Sequence, residues 1–319
     1  MIENIKRRAQ ISEAEHGIRL DQAAAVLFPE FSRARLQLWI KSGQLCVDGK
    51  TAKPKEKVYL GNNLVLDAEL EQEGVWLPMK LDLDISYEDE DILVLNKPAG
   101  LVVHPAAGHA NDTLLNALLH HCPELETVPR AGIVHRLDKD TTGLLVIAKN
   151  LMAHNNLVEQ LQARTVKREY EAIACGVMSG GGKVEKPLGR HPTQRKKIAV
   201  LERGGKEAIT RYRVLKRFLA HTHIAVQLET GRTHQIRVHM AHLRYPLLGD
   251  PVYGGRMRLP PAASAELQER IRSFGRQALH ARRLGLVHPA SGEDMSWEAE
   301  LPTDMAEMLL ALAAHTAGA

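Results

Sequence analysis

The apolar positions of this chain change period several times, and the changes mark out its elements. Leu20 to Phe28 predicts a short helix. A second helix starts at Ser32, which can cap it, and ends near Gly43, a glycine just beyond a C-terminus. On that second helix Leu36 and Ile40 form an apolar pair at i, i+4, while Arg33, Gln37 and Lys41 line another face at the same spacing. Leu45-Cys46-Val47 runs into an Asp48-Gly49 hairpin turn, and Leu64-Val65-Leu66 closes the unit. From Leu81 onward strand-like runs recur at Ile92 to Leu95, Leu144 to Ala148, Tyr170 to Val177 and Ile224 to Leu228. Helical segments stand between them at 112–121, 151–164 and 233–243, and Thr303 to Ala314 predicts a closing helix. Ile224, Val226 and Leu228 alternate with Ala225 and Gln227, as in a sheet with one wetter face. Strands and helices mix without regular βαβ alternation. The expected fold is therefore α+β, with a large, mainly antiparallel sheet.

These patterns divide the 319 residues into an N-terminal tail (1–16), a small α/β module (17–68), an acidic linker carrying Gly and Pro (69–80) and a larger domain (81–319). The composition, 44% hydrophobic and 25% charged, is that of a globular protein. A net charge of +4 permits a nucleic-acid partner without requiring one. Cys46, Cys122 and Cys175 are odd in number and far apart, which gives neither a disulfide framework nor a metal pair. The N-terminus has charge but no apolar core of a signal peptide, and no apolar run is long enough to span a bilayer. The expected setting is the cytoplasm, with no membrane partner, and the expected state is a monomer.

Chemistry concentrates in Val134 to Val146. There Arg136, Asp138, Asp140, Thr141 and Thr142 crowd a turn that leads straight into an apolar strand. Asp138 is as able to cap that turn as to act on a substrate, and Asp140 competes with it. Two other segments weigh toward chemistry. Arg168-Glu169-Tyr170 opens a strand with a tyrosine. In Gly231-Arg232-Thr233-His234-Gln235-Ile236-Arg237, a strand ends, Thr233 can cap a helix and Arg237 projects from its first turns. A nucleophilic carboxylate, a buried arginine and a tyrosine from three segments would make one compact site.

These segments, with Asn96-Lys97-Pro98 and Leu101-Val102-Val103-His104-Pro105 upstream, resemble the RluA-type pseudouridine synthases from about Asp84 to Pro302. The front module resembles the S4-like RNA-binding domain at Arg19-Leu20-Asp21, Ser32-Arg33 and Val47-Asp48-Gly49-Lys50. The resemblance implies isomerisation of uridine in large-subunit (23S) ribosomal RNA, in the helix 69 stem-loop, with no cofactor and no metal. It maps the nucleophile to Asp138, its counter-ion to Arg237, the stacking and proton-handling group to Tyr170, and the residue associated with base flipping to Arg136. RNA contacts are expected from Arg33, Gln37, Lys41, Thr142, Arg232, His234 and Gln235. Thr142 replaces the commoner Ser of the family and Arg168 a frequent Lys; both keep the functional group. The rival is a non-catalytic assembly factor, which would need none of Asp138, Tyr170 and Arg237.

Other motifs carry less. Gly180-Gly181-Gly182-Lys183 lacks the spacing of a phosphate loop and reads as a hairpin turn. His234, His239 and His242 share a helix without a carboxylate or cysteine to complete a zinc site, and His120-His121-Cys122 ends a helix before Pro123. A nucleoside deaminase would need H-x-E with P-C-x-x-C, and both are missing.

Overall fold

The computed structural model describes residues 2–29, 31, 33–71, 76–105, 109, 111–194 and 197–318, in two units, 1–75 and 76–319. The first contains β1 (Ile2–Gln10), α1 (Leu20–Leu27), α2 (Arg33–Ser42), β2 (Leu45–Val47) and β3 (Asn63–Glu71). Its antiparallel sheet runs β1-β3-β2. Leu20, Ala23 and Ala24 of α1 and Leu36 and Ile40 of α2 share one core with Leu45, Leu64 and Leu66. Gly43 follows α2 with φ +79°, the left-handed position that ends a helix cheaply. Ser32, the expected cap of α2, lies outside the described residues.

The expected boundaries shift at both ends of this unit. Residues 2–10 are no tail: they pair along their length with β3, from Ile2↔Glu71 to Gln10↔Asn63. Their sequence, IENIKRRAQ, hides this because backbone pairing needs no apolar alternation. The acidic start of the expected linker is likewise the end of β3, whereas residues 76–80 belong to the second unit. There Trp76 packs against the core, Asn116 donates to the Leu77 carbonyl, and the Met79 N–H donates to the Asn116 carbonyl.

The second unit begins with β4 (Ile85–Glu88), β5 (Ile92–Lys97), α3 (Leu114–His121), β6 (Thr142–Ala148), α4 (Leu151–Ala163) and β7 (Lys167–Cys175). Next come β8 (Gly182–Glu185), β9 (Leu188–Arg190), β10 (Ile198–Val200), β11 (Ile209–Arg217), β12 (His221–Leu228) and α5 (Gln235–His242). It ends with α6 (Ala265–Ser273), β13 (Leu279–Val287), β14 (Asp294–Glu298) and α7 (Thr303–Ala317). Nine of these strands form one sheet, ordered β4-β5-β6-β13-β7-β12-β11-β8 with β14 on β13, and β9 and β10 pair with each other in a second. Among the described strands of this sheet the β6–β13 pairing alone is parallel, so the mainly antiparallel α+β expectation holds.

Every residue of β6 is buried, because both faces are covered. Leu145 and Ile147 join Leu114 and Leu118 of α3, while Leu144 and Val146 join Ala153 and Leu157 of α4. Each such side chain contributes about 1.5–3 kcal/mol by leaving water. The wetter face expected for β12 shrinks for the same reason: Ala225 is buried and Gln227 alone of that strand is exposed. At the start of β6, Gly143 has φ +111°, and a Cβ there would sit 2.3 Å from the Ala281 carbonyl oxygen. Glycine thus lets β6 meet β13 directly below the turn that carries Asp138.

Candidate active site

The Asp138 turn is fastened from three sides. The Thr141 N–H donates to the Asp138 carbonyl at 3.1 Å, and Leu137 is buried beside it. Lys97, fully buried at the end of β5, donates through Nζ to the carbonyls of Pro98, Leu101 and Lys139 at 2.7, 3.0 and 2.8 Å. Burial pushes its pKa down to about 7, against the pull of Asp140 and Asp138. Arg276, which also pairs with Asp304, donates to the Asp140 carbonyl at 3.2 Å, and Gln277 donates to the Thr141 hydroxyl at 3.0 Å. The turn is held by its backbone, leaving the Asp138 carboxylate to other partners. That carboxylate lines a cleft of about 830 Å³, and Asp140 does not.

Arg237 is the hub of the site. From the first turn of α5 its Nη1 donates to Asp138 Oδ2 at 3.0 Å. Its Nε and Nη2 donate to Asp250 at 2.7 and 2.9 Å. Asp250 is completed by the N–H groups of Val252 and Tyr253, each at 2.9 Å. Burial alone would raise the Asp250 carboxyl, but the hydrogen bonds and charge of Arg237 outweigh it, so the group is held below its ordinary value. The side chains of Arg237 and Asp250 are 5% and 0% exposed, while Asp138 keeps 17%. One arginine therefore fixes two carboxylates and leaves one of them facing the cleft.

His234 stands on the other side of Asp138, with Nε2 at 3.9 Å from Oδ1. The Ile198 N–H donates to the Tyr253 hydroxyl, which can then donate to His234 Nδ1 at 2.8 Å. This leaves the ring proton on Nε2, toward the carboxylate. Burial lowers the His234 pKa although Asp138 pulls it upward. Tyr170, on β7 between β13 and β12, forms part of the cleft wall, and burial in first place raises its pKa and keeps the phenol protonated. Arg136 is exposed on the cleft and makes no ion pair among the described residues.

The structure thus joins Asp138, Tyr170, Arg136, Arg237, Arg232 and His234 around one cleft. It removes two expected contacts. Thr142 is buried below the turn, where His280 donates through Nε2 to Ala299 and accepts the Thr142 hydroxyl on Nδ1 at 2.8 Å. Thr141 lines the cleft in its place. The Gln235 side chain accepts from the Thr230 hydroxyl and the Arg232 N–H and donates to Ile209 and Thr210, so no polar group of it is left for RNA. That bonding also closes the loop before α5. The helix therefore starts from His234 at φ 55°, not from a Thr233 cap.

His239 is buried between the Thr210 hydroxyl and the Lys186 carbonyl, and His242 faces solvent, so the histidines of α5 do not converge. Sequence reading missed Asp250 and Tyr253 as site residues. Nothing local in Gly249-Asp250-Pro251-Val252-Tyr253 ties that segment to Arg237.

In the N-terminal unit, Asp21 gathers two of the residues expected to contact RNA, Arg33 and Gln37, together with Arg19. Its 0%-exposed side chain accepts from Arg19, Arg33 and Gln37, and the two arginines remain 39% and 45% exposed. Burial would raise the Asp21 carboxyl, but these hydrogen bonds hold it down at about 2. Arg33 and Gln37 are therefore anchored rather than free. Lys41 is exposed.

A carboxylate fixed by a buried guanidinium, with a tyrosine nearby and six arginines on the cleft, describes an enzyme that handles a polyanion. Residues 91–242 match the family described as RNA pseudouridylate synthase. The chain is 60% identical to "Ribosomal large subunit pseudouridine synthase D" of Pseudomonas aeruginosa, over 97% of this chain and 96% of that protein. It is 53% identical to the protein of that name from Escherichia coli K12, over 97% and 95%. Among solved structures, "Human RNA Pseudouridylate Synthase Domain Containing 4" aligns with TM-score 0.56 and 28% identity, over 72% of this chain and 92% of that one. The chain belongs to the RNA pseudouridylate synthase family, in its RluA-type branch, and is an isomerase.

Proposed function

We propose that this enzyme converts uridine to pseudouridine in large-subunit ribosomal RNA, in the helix 69 stem-loop, with Asp138 as nucleophile. The observation that carries this reading is the Asp138–Arg237–Asp250 array: the carboxylate that faces the cleft is oriented and backed by a cation that cannot leave. In the reaction the bond from C1′ to N1 breaks and C1′ rejoins C5. The C5 proton leaves and N1 takes one up, so atoms and electrons balance without a cofactor. Arg237 stands 3.0 Å from Asp138 as a counter-ion that does not itself give up a proton. Extruding the base costs a few kcal/mol. Tyr170 offers an uncharged stacking face and a phenol that relays the C5 proton, its oxygen taking that proton as its own passes to water, and Arg136 occupies the place from which the base leaves. Arg232 and His234 line the path of the strand. The N-terminal unit serves as an S4-like RNA-binding domain through Arg19, Arg33 and Lys41.

The reading suits a monomer in the cytoplasm; among the described residues no helix is long and apolar enough to cross a membrane. It is tested by mapping pseudouridines in ribosomal RNA from cells with and without the enzyme. The expected result is loss of modification confined to the helix 69 stem-loop. An unchanged map of large-subunit RNA would reject it.

A further inference from the structure

Arg168 opens β7 two residues before Tyr170, so the two share a face of the strand about 7 Å apart. It is 7% exposed and lines the cleft. Its Nε is buried without a hydrogen-bond partner, and the guanidinium makes no ion pair among the described residues. The nearby carboxylates are committed elsewhere: Asp138 to Arg237, Glu229 to Arg211, Glu169 to Arg213. A buried cation without a counter-charge is costly, and proteins keep one where a ligand supplies the missing charge.

Space is made for it as well. Gly231 is not in the left-handed region, so its backbone does not need glycine. A Cβ there would meet Arg168 Nη1 at 2.8 Å.

We propose that Arg168 is a built phosphate site: its guanidinium binds a backbone phosphodiester flanking the target uridine while the base lies on Tyr170. The planar fork of arginine fits two phosphate oxygens, and the Arg168–Tyr170 spacing is one that a nucleotide bridges from base to phosphate. The proposal rests on RNA being the substrate. Its readout is binding, which needs no turnover; product formation by the wild-type enzyme tests the substrate reading separately.

The test measures RNA affinity and melting temperature for Arg168→Met, which keeps the stem and removes the charge. The RNA is an oligonucleotide of the helix 69 stem-loop. The expected result is affinity weakened by about 10–100-fold, a salt slope shallower by about 0.7, and a melting temperature at or above wild type. Gly231→Ala should weaken affinity in the wild type and have no added effect in the Arg168→Met background. A methylphosphonate at one of the phosphates flanking the target should cost the wild type about ten-fold and the Arg168→Met variant nothing more. A lowered melting temperature would make Arg168 a structural residue. Affinity within two-fold of wild type, or a methylphosphonate penalty that persists in Arg168→Met, would equally overturn the proposal.

Discussion

The two units solve the same electrostatic problem with opposite stoichiometry. In the N-terminal unit one fully buried carboxylate, Asp21, holds two arginines and a glutamine, and the arginines stay 39% and 45% exposed. In the catalytic unit one buried arginine, Arg237, holds two carboxylates, and Asp138 keeps 17% exposure. Around the carboxylate hub the surplus charge is positive and turned to solvent, which suits a phosphate backbone. Around the arginine hub the surplus is negative and turned to a cleft, which suits the nucleophile proposed for an extruded uridine. The group at the hub sets what the rim can do.

Breaking the hubs should therefore have unequal consequences. Arg237→Met leaves Asp250 charged and buried, so the catalytic unit should lose about 3–5 kcal/mol in denaturant unfolding. Its turnover should fall by about 10²–10³ with saturating RNA, because Asp138 loses its counter-ion. Asp250→Asn keeps the Arg237–Asp138 bond but offers the arginine one acceptor oxygen in place of two. A loss of about 1.5–3 kcal/mol is expected, with a smaller drop in turnover. Asp21→Asn frees two arginines that water can solvate, so a cost nearer 1 kcal/mol is expected. Weaker RNA binding should accompany unchanged turnover at saturation.

The smallest effect is one of pH. Because the Asp21 carboxyl is depressed from 3.8 to about 2, its stabilising contribution is complete above the ordinary value and lost as pH falls through about 2. Acid unfolding of the N-terminal unit, followed by the fluorescence of Trp39, should shift in that window and lose the shift in Asp21→Asn.

Much of the candidate site was legible because its residues sit in local patterns. The polar turn before an apolar run drew attention to Asp138 and Asp140, the Gln-Ile-Arg segment to Arg237 and the opening of β7 to Tyr170, and the family resemblance chose Asp138 over Asp140. What stayed hidden depends on the fold. Asp250 meets Arg237 from a separate loop, and Asp138 is told from Asp140 by which carboxylate faces the cleft. Thr142 and Gln235 carry polar groups next to candidate site residues, yet their hydrogen bonds close on His280, Ile209 and Thr210. β1 has backbone pairing without an apolar alternation to announce it. Periodicity reports a buried face; it does not report which long-range partner satisfies a polar one.

The central claim is that the exposed carboxylate on the arginine hub attacks the substrate. The most direct measurement is pseudouridine formed by Asp138→Asn beside Asp140→Asn, with saturating large-subunit ribosomal RNA and affinity measured in parallel. The account predicts at least a 10⁴-fold loss, to order of magnitude, for Asp138→Asn with affinity within a few-fold of wild type, and substantial product from Asp140→Asn. Product from Asp138→Asn at the wild-type rate would contradict it.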